Sequence, residues 1–461
     1  MNVHDFDEID IQKVAALYCE GMNRQQIAEI VYVPENEVDR MIEAASQRGY
    51  FDYQPRLASE VISPEVRNFV AHEVLTSTLN ASLRQKLECT LTPITITPSP
   101  RSMFTKFAAD TDESSKDFEA YLRAERGSVQ MVAGRAAEKL STALFDGKNH
   151  AVGLNWGAIV GETIKRIRPV PSRMDDAKIS VVSLFGDLDF FSPEWDLSSV
   201  VGMDMNCNNL VTQLVQQLGG RGEAVPLNVP GFIPAKFAKK ADTFNAIRDF
   251  MTTHTSYRRI FGDSPPENPR KPRSIEGVRN RPSQAKIIQI DTIITGLGAA
   301  DNYTVLRNYH KSLLDPKEID TFLRYCRKGK VVGDIGGHLI ESEAGKHDKR
   351  VAAFLTRINR RLLAAQPSDF IDVASRYQKT KKGAGVIAIT VGARKAKILH
   401  TLLSWAPCPL SMVVIDSHCA LALLHQIDPS GFKNFITTQD GQKIIGDHTK
   451  WSKATKELIP V

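Results

Sequence analysis

The chain is 461 residues long, 42% hydrophobic and 24% charged, with six widely separated cysteines and no C-x-x-C pair, so it has the composition of a globular protein of two or three domains without a disulfide or structural-zinc framework. No uncharged apolar run approaches the roughly 18 residues that a membrane span needs, and an acidic amino terminus is no signal peptide, so a cytoplasmic chain with no membrane partner is expected. The formal net charge is +6, yet residues 1–56 hold five Lys/Arg against eleven Asp/Glu, which leaves about +12 on the remainder.

The first element in the chain is an apolar face at Ile11, Val14, Ala15, Leu17 and Tyr18, with helical spacing, that stops at Gly21. Asn23 starts a second helix over Arg24–Val31, with Gln26 as its capping-box partner. After a turn at Tyr32 and Val33, Pro34 opens a third helix whose inner face is Val38, Met41, Ile42 and Ala45. It ends near Arg48-Gly49, and Tyr50–Tyr53 fits a short wing strand. Three short helices with tight connections make residues 1–56 the skeleton of a winged helix-turn-helix, whose third helix would enter the major groove of an operator. Its outward residues are Glu35, Asn36, Glu37, Asp39, Arg40 and Glu43, and that charge opposes phosphate binding. Arg24, Gln25, Gln26, Asn36 and Arg40 remain to read DNA, since Gln and Asn can pair with adenine and Arg with guanine or phosphate.

A helical linker is expected over residues 57–82, then an effector domain over 83–426 and an appended tail over 427–461. Leu91–Pro100 reads as a strand leaving the linker. A helix with apolar positions Val129, Met131, Val132, Ala136, Leu140 and Leu144 ends at Asp146-Gly147. Candidate strands follow at Ala151–Leu154, Ile179–Leu184, Ala224–Leu227, Ile287–Thr295, Val331–Ile335, Val386–Val391 and Ser411–Ile415. Helical stretches such as Leu210–Leu218, Lys317–Arg327 and Lys395–Leu403 lie between them. Apolar strands alternating with helices imply an α/β domain with a parallel sheet covered on both faces. Ligands then bind beyond the carboxyl ends of the strands, where small residues let backbone amides approach them. The basic stretch 257–286, with its Pro-Pro and Asn-Pro steps, reads as a solvated surface loop.

The head block Tyr18–Ala28, Asp146-Gly147 leading into Val152–Gly157, then Val225–Pro230, Thr295–Gly298, Val332–Gly336, Val391–Ala396 and Val414–Asp416 occur in this order. Together they resemble the SorC family of sugar-binding transcriptional regulators, from the head to about Leu424. The resemblance implies a winged DNA-binding head on an effector domain related to sugar-phosphate isomerases, assembled as a homodimer or homotetramer. It implies an effector pocket for a small carbohydrate or sugar phosphate lined by Gly153, Asn155, Trp156, Gly157, Gly296, Gly298, Asp334, Gly336, His338, Gly392 and Lys395. Strand-end amides would hold an anion, the lysine would neutralise it, and Asp or Asn would orient hydroxyls. The chain departs from the family at Ala158 and Ile159, where a hydroxyl residue is usual, and at His338, where arginine is common. Its head lacks the family's glycine, serine and basic residues across the turn and third helix.

Several residues keep two readings. Trp156 is either core or a ligand platform, Lys395 either a solvated helix residue or a ligand contact, and Asp334 either a pocket or capping residue or a plain turn. Gly296–Asp301 follows a strand, but Asp301 stands where a dinucleotide fingerprint needs a small residue. His254, His310, His338, His400 and His418 have no metal spacing, and the adjacent Asp416, Ser417 and His418 read as a strand-end turn rather than a catalytic relay. No catalytic pair, cofactor or metal is expected. The reading is a ligand-responsive regulator, with a protein-binding adaptor or an isomerase-like enzyme as alternatives.

Overall fold

The computed structural model describes residues 6–19, 22–48, 50, 64–87, 94–99, 116–146, 148–167, 178–187, 206–220, 222–262, 285–300 and 313–445. The head forms three helices, α1 (Glu8–Cys19), α2 (Arg24–Val31) and α3 (Glu35–Gln47). Asn23 caps α2 reciprocally: its Oδ1 accepts the Gln26 N–H at 2.9 Å, and Gln26 Oε1 accepts the Asn23 N–H at 3.0 Å. Tyr32 ends α2 in the left-handed conformation (φ 59°). Pro34 stands one residue before α3, in the N-cap position, rather than as its first residue. Ile11, Val14, Leu17, Ile27, Val38, Met41 and Ala45 are buried together, and Val70 of the next helix closes this small core. Tyr18, expected on the inner face, is 37% exposed. Of the expected wing strand only Tyr50 falls among the described residues.

Helix α4 (Pro64–Leu87) runs through the boundary expected at residue 82. Its Ala71, Leu75, Leu79 and Leu83 are buried in the core of the body. Then come β1 (Thr95–Thr97), α5 (Lys116–Leu144), β2 (His150–Leu154), α6 (Ala158–Ile164), β3 (Ile179–Ser183), α7 (Cys207–Gln217) and β4 (Gly222–Val225). Helices α8 (Ala241–Thr253) and α9 (Thr255–Phe261) precede β5 (Thr292–Ala299). After α10 (Pro316–Arg327), β6 (Val331–Ile335) and β7 (His338–Glu341), the chain forms α11 (Lys349–Asn359), α12 (Pro367–Thr380), β8 (Gly385–Thr390), α13 (Ala396–Leu403) and β9 (Met412–Asp416). Helices α14 (Ser417–Ile427), α15 (Pro429–Thr437) and α16 (Gln439–Ile445) complete the described chain.

Seven strands pair in parallel in the order β1-β9-β8-β5-β2-β3-β4. The alternation of side chains along a strand sends successive residues to opposite cores. On β8, Ala388 joins one core, while Ile387 and Ile389 join the other. Helices α4, α12, α13 and α14 cover the first face, and α5, α6, α7 and α11 the second.

In the body the structure also differs from the sequence-based expectation. The strand expected over Ile287–Thr295 is a helical turn at Lys286–Gln289 followed by β5, which continues to Ala299. That extension carries an antiparallel hairpin, β6–β7, paired to the end of β5. β4 begins and ends two residues early because Pro226 has no N–H to extend the ladder. Through Ile445, the expected tail is two helices whose Phe432, Phe435, Ile444 and Ile445 are buried in the first core. Of the expected 257–286 loop, residues up to Phe261 are helical and 263–284 lie outside the described residues. Arg259 and Lys286 both pair with Glu223 on β4. Among the described residues no helix is long and apolar enough to cross a membrane.

Candidate functional site

The sheet's C-terminal edge is built around β5. Gly298 lies opposite Asp334 in the β5–β6 pair. A Cβ on Gly298 would fall 1.7 Å from Asp334 Oδ1, so the carboxylate occupies the space that the glycine leaves. Gly333, with its φ of 157° and its missing Cβ 2.0 Å from the Gly298 carbonyl, makes that close approach possible. The other Asp334 oxygen accepts the Gly337 N–H at 3.2 Å. Burial pushes the Asp334 carboxyl up to about 6, against the Lys395 charge and the Gly337 N–H, which both favour the carboxylate.

Lys395 is half-buried at the end of the turn Ala393–Lys395. Gly392 begins that turn with φ 83° and donates its N–H to Asp416 Oδ1 at 2.9 Å. Asp416 is fully buried at the end of β9, where it also accepts the Cys419 N–H and the Ser99 hydroxyl, both at 3.0 Å. Asp416 therefore shapes the loop that presents Lys395. Desolvation raises its pKa, and these donors pull the other way. Asp416-Ser417-His418 is a strand-to-helix turn, as read. Its role as the anchor of the lysine loop was missed, although an Asp between an apolar strand and a helix is itself an N-cap signal.

The turn of the β6–β7 hairpin brings Gly336 to Asn155, the residue after β2. Asn155 is buried; its amide lies 3.5 Å from Thr295 Oγ1, and its Oδ1 accepts the Trp156 N–H at 2.9 Å. A Cβ on Gly336 would meet Asn155 Nδ2 at 2.7 Å. Gly336 and Gly337, with φ of 61° and 82°, form the two-residue turn between β6 and β7. His338 follows it, fully buried, and burial lowers its pKa to about 4, against the Gly336 backbone, Asp369 and Gln366, which favour the charged ring. The Thr390 hydroxyl, at the end of β8, is buried without a hydrogen bond and was not foreseen.

Four expected pocket residues have structural tasks instead. Gly153 sits in mid-strand under Leu184, whose Cδ1 would be 2.7 Å from an added Cβ. Trp156 is core, its ring 5.7 Å from that of Phe185. Gly296 packs against Ile159 and pairs within the sheet with Ile389. Gly157, at φ 136°, provides the turn into α6.

In the head, Arg24 is ion-paired with Asp39, and the Arg40 guanidinium lies 5.8 Å from the Phe6 ring centroid. Gln26 is engaged in the capping box, while Gln25 and Asn36 are exposed. Among the described residues no group of three or more His, Cys, Asp or Glu could hold a metal ion.

No family model matches the chain. No curated protein matches it in sequence. Solved structures do. The full-length sorbitol operon regulator SorC from Klebsiella pneumoniae is 14% identical with a TM-score of 0.47, covering 90% of this chain and 98% of its own. A DeoR family transcriptional regulator from Listeria monocytogenes is also 14% identical with a TM-score of 0.47, covering 76% and 99%. A transcriptional regulator from Streptococcus pneumoniae TIGR4 is 13% identical with a TM-score of 0.46, covering 77% and 98%.

Proposed function

We propose that the chain is a ligand-responsive transcriptional regulator without catalytic activity, in which a helix-turn-helix head is governed by a small carbohydrate or sugar phosphate bound at the C-terminal edge of the sheet. The observation that carries this reading is the Asp334 carboxylate lodged in the Gly298 notch within the field of Lys395. An acceptor and a cation held side by side at strand ends suit a polyhydroxyl compound, and Asn155 and His338 supply uncharged partners beyond β5. Two perturbed groups, Asp334 and His338, stand on successive rungs of the β6–β7 ladder, so their side chains leave opposite faces of the hairpin. That separation favours binding over acid–base chemistry, which needs both groups at one reacting atom. A thermal-shift screen of sugars, polyols and their phosphates tests the proposal. At least one compound should raise the melting temperature, and Lys395→Met should weaken it by the roughly 1.5–3 kcal/mol of a charge-assisted hydrogen bond. Equal binding by the variant would remove Lys395 from the site.

The Arg24–Asp39 ion pair favours a second reading, an adaptor whose acidic head docks a protein. Exposed Glu35, Asp39 and Glu43 surround the cations that DNA would need. Gel shifts with pooled genomic fragments at two salt concentrations separate the two. If no fragment binds at low salt, the adaptor takes the regulator's place.

A further inference from the structure

Arg394, the neighbour of Lys395, is ion-paired with Glu125 of α5, its Nη2 donating to both carboxylate oxygens at 2.9 and 3.0 Å. Both side chains are largely withdrawn from solvent, 17% and 12% exposed. From Glu125 the helix continues unbroken past Lys139, which at 1.5 Å per residue is about 21 Å. There Arg135 Nη2 and Lys139 Nζ each donate to the Tyr32 hydroxyl at 3.4 Å, and the Lys139 ammonium lies 6.0 Å from the Tyr32 ring centroid. Glu73 of α4 feels both cations. Tyr32, 69% exposed, is the left-handed residue between α2 and α3 and closes the C-terminus of α2 through its N–H to the Ala28 carbonyl. Two residues later Pro34 takes the N-cap position of the third helix. Helix α4 gives the head a pivot, since Val70 is part of the head's core and Lys13 lies over Phe69.

We propose that α5 is the transmission rod between ligand site and head, tied at one end to the lysine loop by Glu125–Arg394 and at the other to the helix-turn-helix turn by Tyr32. A ligand that shifts Lys395 moves Arg394, and α5 then changes its grip on Tyr32 and the setting of α3. The regulatory meaning rests on the regulator reading above; the mechanical coupling does not.

The test uses the full chain without ligand: wild type, Tyr32→Phe, Glu125→Gln and the double variant, with hydrogen exchange measured over residues 24–47. Each single change should speed exchange in the head about fivefold or more, the lower end of ordinary site-to-site coupling. The double variant should go no further than the larger single, because one broken tie already disconnects the rod. Sites this far apart that act independently would instead multiply their effects. A multiplicative double variant, or unchanged head exchange in Glu125→Gln, overturns the proposal. Should Glu125→Gln fail to fold, Arg394→Gln breaks the same pair from the other side with the same expectation. Gel shifts on the same samples separate the two hypotheses. Coupling without DNA binding leaves the rod and removes the regulator, whereas DNA binding without coupling removes the rod alone.

Discussion

Asp334 carries the sharpest residue-scale consequence. Its carboxyl is raised to about 6 by burial, so it is half-protonated near that pH and cannot then accept two ligand hydroxyls. Affinity for a polyol should climb as pH rises through 6, and Asp334→Asn should flatten that profile; a wild-type profile flat from pH 5 to 7 would exclude Asp334 from the site. A second group works on stability. His150, its side chain fully buried, lies 2.7 Å from Asp146 and 3.1 Å from Asp291. The hydrogen bond to Asp291 is the largest influence and raises its pKa above 6.5. A raised folded pKa contributes stability that is complete below the unfolded value and fades as pH rises through the folded one. The urea midpoint of wild type minus that of His150→Gln should therefore shrink steadily above pH 6.5, and a constant difference would mean that the ring is held neutral. Asp334, Lys395, Asn155 and His338 were expected from the resemblance to the SorC family and remain proposed ligand contacts. Asp416 and Thr390 were not, because their importance comes from neighbours more than twenty residues away, such as the Gly392 amide.

At the scale of elements, the capping box at α2 was readable residue by residue, since Asn23 and Gln26 act within one turn. Replacing Asn23 with Ala should cost about 1 kcal/mol, read as a lower melting temperature of the head by circular dichroism or as faster exchange in α2. Boundaries set by distant pairing were harder to read. β5 extends past two glycines only because β6 folds back on it, and nothing within 292–299 announces that partner. The C-terminal helices were misread for the same reason: Phe432, Phe435, Ile444 and Ile445 look like scattered apolar residues until α4 lies against them. Each of the four contributes roughly 1.5–3 kcal/mol by burial, so a chain truncated after Gln426 loses an amount comparable with the whole net stability of about 5–15 kcal/mol. It should be recovered insoluble or unfolded.

For the whole molecule, a regulator reading a two-fold operator needs paired heads, and closed two-fold symmetry is the commonest assembly. Light scattering of the full chain at micromolar concentration should return at least a dimer, and a monomer would count against the regulator. The order in which the molecule comes into being follows from two contacts already described. Among the described residues β1 pairs with β9 alone, and Thr97 meets Ile415 across 318 positions of chain. At about 5–20 residues per second, a ribosome needs roughly 15–60 s to cover that stretch. Throughout that interval β1 lacks its strand partner, and α4 lacks α14 and α16, against which it will rest. The head, whose core closes within the first 74 residues, suffers no such delay. A nascent chain thus carries a finished head on an unfinished body, and a chaperone that shelters apolar helices would hold it in the interval between those two events.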